Sequence, residues 1–263
     1  MRRLYHHILN PQARTIRFML AELGLDTDLI PEKPWERRRD FVKMNPSGEV
    51  PVLIDEAGAA RERGQQEMGL DAAAQAAVEG EEAAQDDLDL AVTKGPAEPI
   101  TICGTFPIVE YLCRAYPEPD LLGDSAAAQA ESRRLFDWFA RKFHYEVSDL
   151  VLQEKVVKRL ARMGNPDTAS LRVGLDNMGY HLDYIGWLAG RRNWLAGEHF
   201  TIADIAAACQ ISSLDYLGDI RWHNYPAAKD WYARIKSRKS FRMILADHVS
   251  GMPPPKHYAD PDF

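Results

Sequence analysis

The sequence predicts a two-part fold, a small α/β domain over residues 1–116 followed by an all-helical domain over 125–248. Three observations carry this. Before Tyr116, short β-branched or leucine-rich runs bounded by turn residues alternate with helical periodicity. Proline crowds the junction at Pro117-Glu118-Pro119-Asp120, which reads as the start of a linker over 117–124. After Ser125, Leu135, Trp138, Phe139 and Phe143 fall at i, i+3, i+4 and i+8, and strand-like alternation is scarce.

Residues 4–9 read as a first strand, ended by Asn10-Pro11. A helix follows over 12–23, because Ile16, Met19, Leu20 and Leu23 recur at i, i+3, i+4 and i+7, and Gly24 ends it. Residues 25–30 can form a second strand, and 35–41 a short helix or loop. Arg37-Arg38-Arg39 reads as a solvated face, whereas Trp35 beside it has the composition of a partner contact. The most informative stretch is Asn45-Pro46-Ser47-Gly48-Glu49-Val50-Pro51-Val52-Leu53-Ile54-Asp55. Pro46 and Gly48 turn the chain into a buried strand, and Pro51 at its start cannot donate to a ladder. A cis Val50-Pro51 bond would turn the Val50 amide and carbonyl outward, where a peptide-like ligand can add as a further strand. A fourth strand over 99–102 and a helix over 105–115, with Pro107 in its first turn, complete the domain.

Composition narrows the function classes. The net charge of −7 is unevenly spread: residues 56–99 hold 11 acidic and 3 basic residues and no aromatic, leaving the remainder near neutral at +1. Such a segment cannot bury enough apolar surface to offset ordering, so it reads as a disordered or frayed alanine-rich insertion at a hairpin tip. Lengthening a short connection this far costs only about 2 kcal/mol by the logarithmic loop law. No basic stripe suits a nucleic acid, and no apolar run suits a signal peptide or membrane span, so a cytoplasmic protein is expected. Cys103, Cys113 and Cys209 match neither redox nor zinc spacing, and His6 and His7 would point to opposite faces of a strand, so no metal is expected.

Within the helical part, Thr201-Ile202-Ala203-Asp204 is a capping box. The small residues Ala206-Ala207-Ala208-Cys209 behind it suit the centre of a bundle, and Trp231, Ile235 and Phe241 mark a last helix. Beyond Gly251 the proline-rich tail reads as non-helical and carries Tyr258, Asp260, Asp262 and Phe263.

The first strand and helix, the N-P-S-G-E-V-P stretch, the G-T-x-x-I-V-E-Y-L segment from Gly104 and the T-x-x-D box together resemble the glutathione transferase superfamily. They span nearly the whole chain outside the insertion. The resemblance implies a thioredoxin-like domain with an all-helical domain behind it, usually as a homodimer. In that family a donor near the start of the first helix holds glutathione as a thiolate, helped by the helix dipole. The matching position is Asn10, whose amide can donate to sulfur and whose local reading is a turn residue before Pro11. An acid followed by serine holds the γ-glutamyl end, and here those positions are Gly104 and Thr105. Thr105 keeps a hydroxyl, which helix capping alone would also explain. Loss of the acid removes a charge-assisted hydrogen bond of about 1.5–3 kcal/mol, roughly ten- to 150-fold in affinity.

Within the superfamily, the W-E-R-R segment at Trp35, the missing acid before Thr105 and the ending H-Y-A-D-P-D-F resemble the bacterial cell-division branch that binds the tubulin-like polymer FtsZ. This implies a non-catalytic homodimeric adaptor at the division site, touching filaments through Trp35, Tyr258, Asp260, Asp262 and Phe263, with no cofactor, nucleic acid or membrane partner. The tail's other reading is packing across its own helical domain. The alternative function is a glutathione-dependent transferase or reductase acting on small electrophiles. Its cleft would be Asn10, Val50, Pro51 and Thr105, with Asn10 orienting the thiolate and Val50 binding the cysteinyl backbone. A cleft that binds glutathione without turnover is a third.

Overall fold

The computed structural model describes residues 1–58 and 98–261, so nearly all of the acidic insertion, together with Asp262 and Phe263, lies outside the described residues. Four short strands form one sheet in the order β2-β1-β3-β4. Strand β1 (Arg2–His6) runs parallel to β2 (Asp28–Pro31), and α1 (Pro11–Glu22) makes the crossover that a parallel pair requires. Strand β3 (Val52–Asp55) is antiparallel to β1 and to β4 (Ile100–Cys103), with Asp55 opposite Ile100. The insertion therefore joins neighbouring strands at a hairpin tip, as its composition suggested. Helix α3 (Thr105–Ala115) has the predicted bounds.

Two strand boundaries differ from the sequence reading by three residues, for local reasons, and the others by at most two. Strand β1 stops at His6 rather than residue 9, because Asn10 N–H bonds back to the His7 carbonyl in a turn. Strand β2 starts at Asp28 rather than residue 25, because Leu25 N–H still closes the end of α1 on Leu20, with Gly24 at φ +64°. The segment over 35–41 resolves into a 3₁₀ turn (Pro34–Glu36) and the start of α2 (Arg39–Met44). Arg37 and Arg39 are solvated as expected, while Arg38 bonds the buried Glu32.

After the linker, α4 begins at Ala126–Asp137 and continues unbroken through wider π-helical turns (Trp138–Ser148 and Gln153–Val157) to Lys158–Ala161. It is one long rod. Against it pack α5 (Thr168–Ala189) and α6 (Ile202–Tyr216), followed by α7 (Pro226–Lys236) and α8 (Arg242–Leu245). Gly174 lets α5 approach the rod, since a Cβ there would lie 3.0 Å from Val151 Cγ2. All positions of α6 are buried, which makes it the hub of the bundle, and both arms of the Thr201–Asp204 capping box are present.

The two domains are riveted where α1 packs on α6. Arg14, with no exposed surface, donates to the Ile8 carbonyl, to Ser212 Oγ and to Asp247 Oδ2 at 2.9 Å each. Arg17 clamps both oxygens of the same Asp247 at 2.8 and 2.9 Å.

The tail corrects the sequence reading. Pro253 and Pro254 are non-helical, but Pro255 leads into a 3₁₀ turn, Lys256–Ala259, because proline restricts the backbone before it and leaves the residues after it free to turn. That turn buries Tyr258 completely: its hydroxyl donates to the Ile244 carbonyl at 3.0 Å and its ring meets Tyr216 edge-on at 5.2 Å. Lys236 Nζ donates to the His257 carbonyl at 2.8 Å, and His257 Nε2 lies 2.9 Å from Asp215 Oδ1. The tail is thus fastened across its own helical domain. No helix among the described residues is long and apolar enough to cross a membrane.

Candidate functional site: the interdomain cleft

A cleft of about 860 Å³ opens between the sheet end of the α/β domain and one face of the rod. Its base is the predicted loop. The Val50-Pro51 bond is cis, and Val50 is buried, yet neither its amide nor its carbonyl has a hydrogen-bond partner among the described residues. The turn before it is held by Asn45, whose Nδ2 donates to the Glu49 carbonyl at 2.7 Å and whose Oδ1 accepts from Ser47 Oγ at 3.1 Å. Gly104 N–H donates to the Pro51 carbonyl at 3.0 Å, tying the head of α3 to the same loop.

Asn10 is the N-cap of α1, its Oδ1 accepting from Ala13 N–H at 2.8 Å, so its oxygen serves the helix and its Nδ2 is the donor left for the cleft. Thr105 is not a cap. Gly104 holds that position, so the capping explanation for the Thr105 hydroxyl is overturned, and Thr105 is a lining residue of the cleft. Gly104 sits at φ +88°, ψ 152°, a conformation strained for any side chain, while a Cβ there would find open space with Pro107 Cδ 3.7 Å away. What excludes an acid at this position is backbone, not room.

Trp35 lines the mouth with Phe106, which is 52% exposed. The indole is half-buried and meets the His7 ring edge-on at 5.2 Å, so it is a wall of the cleft rather than an isolated surface aromatic. The opposite wall is the rod, where Phe136, Ala140, His144, Asp149, Gln153 and Val157 line the cleft. These recur every four to five residues. The π-helical turns lengthen the repeat so that one face keeps looking into the cleft, which a 3.6-residue turn would rotate away.

Burial keeps the titratable rings and the thiol of the cleft uncharged. Burial, then the Arg14 charge, lowers His7 to about 4, and burial lowers His144, so both rings are neutral at pH 7. Burial raises the Cys103 thiol, which stays protonated. No group of three metal-ligating side chains occurs among the described residues.

Asn10, Val50, Pro51 and Thr105 thus sit round one cleft, Asn10, Val50 and Thr105 on its lining and Pro51 directly behind Val50. The partner-contact residues do not form one patch. Trp35 belongs to the cleft, and Tyr258, expected as an exposed contact, is a buried anchor on the helical domain because its ring fills the apolar cluster with Leu9, Tyr216 and Val249. Asp260 is exposed. Sequence reasoning missed Gln12 and His144 in the cleft and the Arg14–Arg17–Asp247 rivet. A local signal for the last was two arginines at i and i+3 within an amphipathic helix.

A thioredoxin-like sheet, a helical bundle behind it and a cis-proline edge facing the cleft between them define the glutathione-transferase type of protein. Residues 11–73 match the glutathione S-transferase N-terminal domain and residues 172–234 its C-terminal domain. The chain belongs to the glutathione S-transferase superfamily. It is 39% identical over 262 residues to FtsZ-localized protein A of Caulobacter vibrioides, covering 100% of this chain and 98% of that one. Among solved structures it superposes on FzlA from C. crescentus at TM-score 0.81 and 38% identity, covering 100% and 99% of the two chains. A glutathione S-transferase from Rhodospirillum rubrum F11 matches at TM-score 0.81 and 44% identity, with both chains fully covered.

Proposed function

We propose that this protein is a non-catalytic adaptor of the glutathione-transferase fold that binds FtsZ filaments and regulates bacterial cell division. The observation that carries the reading is Gly104. The family's γ-glutamyl anchor is absent there, in a chain that aligns end to end with a relative named for its FtsZ localisation. We assign Trp35, at the half-buried mouth of the cleft, and the exposed Asp260 to the filament contact, with Tyr258 holding the tail in place.

Co-sedimentation with FtsZ polymer tests this, and Asp260→Lys is expected to weaken it while leaving thermal stability nearly unchanged. Asp260 is itself exposed and attracts the buried Lys236 ammonium from the solvent side, a pairing worth on the order of 1 kcal/mol. Wild-type protein left in the supernatant would sink the proposal. The homodimer we infer uses α5, where Val173, Tyr180 and Trp187, seven residues apart, are 53%, 62% and 49% exposed. Such a stripe suits a second copy, and two filament sites on one particle raise effective concentration. Sedimentation velocity should find a dimer that Tyr180→Glu splits.

One observation favours a second reading. The Val50 backbone pair is unoccupied by the chain's own groups, which is what a glutathione-dependent transferase or reductase would need. Retention on immobilised glutathione, with conjugation of an aromatic electrophile, would decide for it.

A further inference from the structure

The lining of the cleft carries a sign. Its charged side chains are Glu49, Asp137, Asp149 and Arg141, and Arg141 is consumed by Asp137 through bonds of 2.6 and 2.8 Å. Glu49 and Asp149 form no ion pair among the described residues, and with His7 and His144 neutral the lining holds an excess of two negative charges. These two carboxylates come from opposite walls, the α/β loop and the rod, and both act on His144, so they converge on one region. Arg37 lies against Gly48 at the rim but pairs with neither. Glutathione, with two carboxylates and one ammonium, carries a net charge of the same sign as this lining.

Two further groups lack partners among the described residues. The Val50 amide and carbonyl present the donor and acceptor of one strand residue. A main chain would satisfy them, since buried polar groups in native proteins are overwhelmingly bonded. Trp35, half-buried at the mouth, can take a cation over its ring.

We propose that the interdomain cleft is a docking groove for an extended peptide segment of a partner protein, one bearing lysine or arginine, which pairs with Val50 and places its cation between Glu49 and Asp149. This does not rest on filament binding. It names the ligand chemistry of the cleft, whatever the exterior does.

The test is an NMR titration of ¹⁵N-labelled protein with acetyl-Ala-Val-Lys-Val-Ala-amide, the same peptide with Glu for Lys, and the Lys peptide N-methylated at its three central residues. The lysine peptide should shift the Val50 amide and bind about tenfold tighter than the glutamate peptide, given up to about fivefold per partly solvated carboxylate. Glu49→Gln with Asp149→Asn should bring the two peptides within about twofold while melting temperature holds, and N-methylation should abolish binding. Equal affinity for both peptides, tighter binding of glutathione, or no Val50 shift at about 10 mM peptide would overturn the proposal. Co-sedimentation of the same double variant with FtsZ polymer separates failure here from failure of the adaptor reading.

Discussion

Where α1 packs on α6, all three guanidinium nitrogens of Arg14 find acceptors within the chain, and Asp247 is gripped through both its oxygens. At the cleft, the Val50 amide and carbonyl find none among the described residues. Both regions lie between the same two domains, and both contain polar groups hidden from bulk water. At the rivet Arg17 Nε is the unpaired exception in a seam whose other polar groups hold the domains together, whereas at the cleft the Val50 pair is what the proposed peptide would satisfy.

The sharpest way to break this contrast is at the rivet. Asp247→Ala strands two buried guanidinium groups and should cost about 3–5 kcal/mol in denaturant unfolding. A loss below about 1 kcal/mol would mean that the seam is no better satisfied than the cleft. Tyr258→Ala empties a fully buried aromatic site and should cost about 3 kcal/mol, releasing the tail and with it filament co-sedimentation. His6 sharpens the comparison through pH. Burial, then the Arg17 charge, lowers its pKa from 6.5 to about 4, so the folded state refuses a proton that the unfolded chain accepts. Its contribution is therefore complete above pH 6.5 and is lost as pH falls towards 4, on the order of 2 kcal/mol. Melting temperatures across that window should drop, and His6→Gln should flatten the slope. Tyr258→Phe, which removes the hydroxyl's bond to Ile244 and its interaction with Arg14, should cost about 1–2 kcal/mol. Smallest of all, Glu49→Gln and Asp149→Asn in the cleft should change stability by less than about 0.5 kcal/mol.

How much of this was legible followed the range of the interaction. Helix α3 has its predicted ends and the Val50-Pro51 bond is cis, because a capping glycine, a proline in the first turn and an N-P-x-G-x-V-P turn act within a few residues. The Thr201 capping box is equally local. The rivet was not legible, since Arg14 and Asp247 are 233 positions apart and nothing in either neighbourhood names the other. Tyr258 reads as polar and terminal in one dimension, and only the cluster around Tyr216 shows that its ring is interior. The π-helical turns of the rod escaped for a related reason. Its apolar spacing fits a 3.6-residue turn over 135–143, and the wider repeat becomes visible only along the face that meets the cleft.

Gly104 has a consequence for how the lineage can change. With φ at +88° and ψ at 152°, any acid introduced there would bring about 1–3 kcal/mol of backbone strain, comparable with the hydrogen bond it would restore. An acid at this position would therefore take more than one codon, because the loop would have to be reshaped with it.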